Sequence, residues 1–249
     1  MRFQILQGAL GTLLCAVPFM APQSAAAQFV APATSHVASI KTTALHKAIV
    51  EAGVLDEGMP GVSLWHDYGS FGLYKLSDAA LNSLASGVRR QVRIDGEMDT
   101  ILFDRYPVNT LRGNANLPAR LTSPDVAGNS LHLVQFVGPI KDEWLKAVEA
   151  SGARLVQYVA NNAYIVWTNT ETRSQLAALA RLGDFVQYSG KFEPAYKLGP
   201  SIESRILASN QDPDELVPVV IQIYNHAGNS ASQKAIVALA QEVESNWDA

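Results

Sequence analysis

Apolar positions change period along the chain. From Leu131 to Val137 they run almost without a break, the pattern of a strand buried on both faces. Gly138-Pro139 interrupts the run. Asp142 then stands at a helix N-cap, and Trp144, Leu145 and Val148 recur at helical spacing up to Gly152. Leu155–Val159 and Tyr164–Trp167 are short β-prone runs on either side of the turn dipeptide Asn161-Asn162. Thr168-x-x-Glu171 has the spacing of a capping box ahead of Leu176, Leu179, Ala180 and Leu182, and Gly183 stops that helix. Phe185–Tyr188 closes the unit. The order is β-α-β twice over, and each half ends in the same tripeptide, Val156-Gln157-Tyr158 and Val186-Gln187-Tyr188. Residues 131–198 therefore predict a ferredoxin-like (βαββαβ) sandwich, its helices covering one face of an antiparallel sheet.

The flanks predict further α+β units. Over 45–105, Leu45–Ala52 predicts a short helix. Gly61–His66 and Phe71–Leu76 predict a hairpin about Asp67-Tyr68-Gly69-Ser70, and Ser77 caps a helix reaching Ser86. Val92–Ile94 and Thr100–Phe103 predict strands about the Asp95-Gly96 turn. Residues 106–130 and 199–216 are rich in Pro and Gly and read as linkers. Residues 217–249 predict a partial β-α unit. Its strand, Val217–Tyr224, contains Val220-Ile221-Gln222-Ile223, an echo of Leu133-Val134-Gln135-Phe136. The Gly228-Asn229-Ser230 turn leads to a helix bearing Ile236, Leu239, Ala240 and Val243. One strand and one helix cannot bury both apolar faces, so this unit is expected to be truncated at Ala249. The fold class is α+β, with the last unit incomplete.

Composition narrows the classes. With 249 residues, 48% hydrophobic and 17% charged, the chain is not a disordered polymer. A net charge of −4 argues against a phosphate-binding footprint, so no nucleic-acid partner is expected. Arg2, the apolar run Ile5–Met20 and Ala25-Ala26-Ala27 predict a signal peptide over 1–27, cut between Ala27 and Gln28, then a flexible leader over 28–44. The apolar run is too short and too broken by Gly and Pro to span a bilayer. The expectation is a secreted or periplasmic protein with no membrane association after cleavage. Cys15 is the one cysteine and would leave with the signal peptide. That excludes a disulfide scaffold, Cys-ligated zinc, iron–sulfur clusters and a thiol nucleophile from the mature chain.

No catalytic spacing emerges. The histidines at 36, 46, 66, 132 and 226 include no i, i+4 pair, and H-E-x-x-H, G-x-S-x-G and phosphate-loop motifs are lacking. His132, at the head of an apolar run, reads as a strand-edge residue. No catalytic, metal-binding or cofactor-binding residue is nominated, and no cofactor is expected. Two features keep two readings each. Trp65, Tyr68, Phe71 and Tyr74 form either a sugar-stacking platform or hairpin core, whereas Trp144 and Trp167 read as core. Residues Phe192, Glu193, Pro194, Ala195, Tyr196, Lys197 and Leu198 form an extended exit from the last strand: an ordinary linker, or a strand laid in a protease cleft.

The runs His132–Ile140 and Tyr158–Val166, with the exit Glu193–Leu198, resemble the N-terminal pro-region of large secreted bacterial subtilisin-like serine proteases. The Asp67–Phe71 hairpin is similar to the start of such proteins. The resemblance covers about 60–245, most specifically 131–198. It implies a non-catalytic pro-region that assists folding of a subtilisin-like protease domain and inhibits it, in cis or in trans. The tail Phe192–Leu198 would approach the substrate cleft, with Tyr196 and Leu198 as anchors. The Asp, His and Ser blocks of the protease domain are missing from the sequence, so no catalytic residue carries over. The alternatives are a stand-alone extracellular peptide- or glycan-binding module using the hairpin aromatics, and an unrecognised hydrolase.

Overall fold

The computed structural model describes residues 45–94, 96–113, 116–208, 216–240 and 242–243, which fall in one unit, Thr43–Ala249. The expected signal peptide over 1–27, its Ala27–Gln28 junction and the expected leader 28–44 lie outside the described residues.

Leu45–Glu51 forms strand β1 and not the expected helix. Lys, Ala and Glu favour helix locally, but Ala48 and Val50 pack into one core while Ile49, between them, packs into another. That period of two suits a strand covered on both faces, and pairing overrides propensity. β2 (Val62–Asp67) and β3 (Phe71–Ser77) form the expected hairpin. Asp67 accepts a 2.7 Å hydrogen bond from the Gly69 amide in its turn. Ser77 caps α1 (Asp78–Ser83), its hydroxyl accepting from the Ala80 amide, as expected. After the single turn α2 (Ser86–Arg89), β4 (Arg93–Ile94) returns to pair with β1, giving the order β2-β3-β1-β4. The strands about Asp95-Gly96 do not pair with each other: β5 (Thr100–Ile101) pairs instead with β6 (Val108–Asn109), and a 3-10 turn, Gly96–Asp99, stands before it.

The second sheet follows the expected alternation: β7 (Ser130–Phe136), α3 (Asp142–Ala150), β8 (Arg154–Val159), β9 (Ala163–Thr168), α4 (Thr170–Leu182) and β10 (Val186–Lys191). Its order is β10-β7-β9-β8 with every neighbouring pair antiparallel. Fourth, first, third, second is a split βαβ sheet. Asn161 and Asn162 both take positive φ, 70° and 61°, the backbone a tight hairpin turn needs and Asn tolerates. Two caps differ from expectation. Lys141 is the N-cap of α3, and Asp142 lies in its first turn, where its charge faces the positive end of the helix. Asn169 caps α4 through a 2.8 Å bond from the Thr172 amide, because Thr168 is still in β9. Gly183, at φ 62°, closes α4.

Val134, Phe136, Val166 and Val186 of the sheet pack beneath Trp144, Val148 and Leu176 of the helices. Leu73 reaches this core from the first sheet. Gly138 makes room for it, since a Cβ there would lie 2.7 Å from a Leu73 methyl. His132 is buried in β7, which lies between β10 and β9, so the strand-edge expectation is corrected.

The expected linkers are built into the fold. Residues 106–130 contain β6 and a 3-10 turn, Ala119–Leu121, with Val108 and Leu121 buried. Residues 199–216 contain α5 (Pro200–Leu207). Its Glu203 is 1% exposed, accepts from the Tyr106 hydroxyl and pairs with Arg105 at 3.1 Å. Val217–Tyr224 has no ladder partner among the described residues, so the expected strand does not form. α6 (Asn229–Val237) follows it.

Candidate functional site

The two helices leave the second face of the large sheet to be covered by other segments. Leu133, Ala163 and Ile165 pack there against Ile101 and Val108 of the β5–β6 hairpin. The tail completes the cover. Phe192 leaves β10, and Pro194–Lys197 closes into a 3-10 turn with Pro at its start. Ala195 is 5% exposed. The Tyr196 ring stacks on Phe103, centroids 4.6 Å apart, and Phe192 lies 6.0 Å from Phe103. Burial, helped by Tyr188 and Glu193, pushes the Tyr196 hydroxyl up to about 12. Glu193 is buried too. Its carboxylate accepts from the Ser123 amide at 2.9 Å and the Ser123 hydroxyl at 3.1 Å, and pairs with Lys191 at 3.3 Å. Lys197 is exposed and Leu198 half-buried. The extended reading of Phe192–Leu198 is thus corrected: its aromatic rings find apolar surface on their own sheet, and the expected anchor Tyr196 is engaged there.

Beside this cover lies a buried polar network that sequence reasoning missed. The Lys47 ammonium from β1 donates to Asp99 at 2.6 Å and to the Gln187 side chain. Gln187 donates to Asp99 at 3.1 Å, Thr110 at 2.8 Å and Gln135 at 3.1 Å. Gln135, wholly buried in β7, donates to the carbonyls of Met98 (3.0 Å) and Asn161 (2.9 Å). Asn161 donates in turn to the carbonyls of Glu97 and Thr100. The network ties the first sheet, the β5–β6 hairpin and the second sheet together. Its signal in the sequence was a glutamine inside each of two apolar strands. Buried polar groups need partners, and these partners lie between 25 and 140 residues away.

The hairpin aromatics divide between two cores. Tyr74 is buried in the first sheet, while Trp65 and Tyr68 pack toward the Trp144 cluster. Tyr68 stacks on Phe71 at 4.5 Å and donates to the Pro139 carbonyl at 2.6 Å. Burial, with Glu143 nearby, raises its hydroxyl far above the usual range. The Lys75 ammonium sits 3.6 Å from the Trp65 ring centroid. Tyr74 is thus hairpin core, while Trp65, Tyr68 and Phe71 remain half-buried. Trp144 is core, as expected. Trp167 is not: it is half-buried, stacks against His226 (4.6 Å) and has the Tyr224 ring tilted beside it at 5.3 Å.

His132 shares a 2.9 Å hydrogen bond, Nε2 to Oγ, with Ser189, and its Nδ1 has no partner among the described residues. Burial, with the Arg173 charge beside it, lowers its pKa from 6.5 to about 4. The folded chain therefore keeps this ring neutral while the unfolded chain takes up a proton below about pH 6.5. Stability from this group is complete above pH 6.5 and falls as pH drops toward 4, by roughly 3 kcal/mol. A His132→Gln variant is expected to flatten the loss of stability between pH 6.5 and 4 relative to the parent, measured by urea unfolding at several pH values. An identical slope would refute the assignment.

Among the described residues no cluster of three or more His, Cys, Asp or Glu side chains is placed to hold a metal ion, and no helix is long and apolar enough to cross a membrane. No curated protein and no solved structure matches the chain. Residues 83–193 are similar to a family described as a domain of unknown function (DUF8729), a match that takes in the β5–β6 hairpin, the whole second sheet and every member of the polar network except Lys47.

Proposed function

We propose that this chain is a non-catalytic secreted module that packs on a subtilisin-like protease domain, assists its folding and holds it inactive until cleavage. The partner is a protease domain of the same polypeptide or a separate one, and neither nucleic acid nor a membrane takes part. The observation supporting the reading is the split βαβ unit over β7–β10, its antiparallel strands in the order β10-β7-β9-β8 and both helices on one face. It coincides with the stretch, 131–198, whose sequence resembles subtilase pro-regions. The tail has a different part in this version. With Phe192 and Tyr196 folded over the sheet, it closes the second face, and the assembled unit is what docks.

Titrating purified 28–249 against a secreted subtilisin-like protease tests the reading. Inhibition at micromolar concentration, with the chain recovered intact and refolding of the denatured protease accelerated, is the expected result. Absence of inhibition, or digestion of the chain as an ordinary substrate, would overturn it.

A further inference from the structure

Helix α5 is eight residues long, and a helix shorter than about 12 residues is marginal on its own in water. Contacts with the rest of the chain must hold it. None of its residues belongs to the three core clusters, and Ile202, Ile206 and Leu207 are half-buried. Only Glu203 is buried, and it is a carboxylate. It accepts from the Tyr106 hydroxyl and pairs with Arg105, both in the loop between β5 and β6. Arg120 adds a hydrogen bond to the Ile206 carbonyl. Polar groups rather than apolar burial therefore fasten α5, and a buried carboxylate is costly once its partners leave. The helix continues directly from the tail, with Leu198 and Gly199 between it and the Pro194–Lys197 turn. Tyr196 stacks on Phe103, two residues before Arg105, and Glu193 is bound to Ser123. Residues 192–207 thus form one band with a buried carboxylate toward each end.

We infer that residues 192–207 are a strap that opens from the α5 end, with Glu203 as its clasp. When the clasp lets go, the short helix cannot stay folded by itself, and the tail loses the element that anchors it from behind. The Phe192 and Tyr196 rings then lift from Phe103 and uncover part of the second sheet face. The Glu193–Ser123 bonds hold the other end, so the opening is local and leaves β7–β10 folded. The inference goes beyond the protease reading and does not depend on it.

Amide hydrogen exchange, read peptide by peptide on the purified chain, tests it. Glu203→Ala removes the clasp while raising the helix propensity of α5, and Tyr106→Phe removes the donor without touching the strap. In both variants exchange over 200–207 is expected to speed up about tenfold or more, with a smaller rise over 192–198 and none in β7 and β9. Trypsin is expected to cut after Arg205 sooner than in the parent. Unchanged exchange over 200–207, an equal rise in β7 and β9, or a rise confined to α5 would overturn the inference. So would a parent chain in which 200–207 already exchanges like unfolded peptide, because α5 would then have no clasp to lose.

Discussion

Replacing Lys47 with Met is expected to cost about 3–5 kcal/mol of unfolding free energy, the usual result of leaving one member of a buried ion pair without its partner. Lys47 and Asp99 are 8% and 11% exposed at their side chains and 2.6 Å apart, so solvent screens little of the loss. A folded domain has only ~5–15 kcal/mol in hand, and a unit of this size would drop by about 10 °C in melting temperature. The pair itself need not be a net stabiliser. The desolvation of two charges offsets much of their attraction, so Lys47→Met combined with Asp99→Leu is expected to recover a large part of the loss. Urea unfolding of the two single variants and the double variant measures the coupling. A Lys47→Met cost below about 1 kcal/mol, the range of an exposed pair, would show that the network is not a lock.

Cutting back the tail rings is expected to act on stability before it acts on any partner. Phe192→Ala and Tyr196→Ala should each cost about 2 kcal/mol, roughly half the value for a fully buried ring because both are half-buried. Both rings touch Phe103, so their effects should not add. A strand held ready for a protease cleft predicts the opposite: unchanged unfolding and lost inhibition. Measuring urea midpoints and inhibition on the same variants separates the two.

The split βαβ unit was legible because its signals are local. An apolar run broken by Gly138-Pro139, helical spacing in two stretches, an Asn-Asn turn and Gly183 each act within a few residues. β1 was not legible, because Lys, Ala and Glu satisfy a helix as readily as a strand, and only pairing with β3 and β4 settles the choice. The same limit hid the linkers. Pro and Gly mark 106–130 as irregular, and irregular chain is usually surface, but here Val108 and Leu121 are buried, Val108 over a sheet face that two helices cannot reach.

The repeated tripeptide shows where the division lies. Val156-Gln157-Tyr158 and Val186-Gln187-Tyr188 are identical in sequence, and both form strands at the edges of one sheet. Gln157 faces solvent, whereas Gln187 binds Lys47, Asp99, Thr110 and Gln135. Sequence by itself determined that both are strands, since β propensity and alternation are properties of neighbouring residues. Which glutamine became part of a core depended on what packed beside each edge, and that was decided by contacts spanning up to 140 residues, which no local pattern encodes.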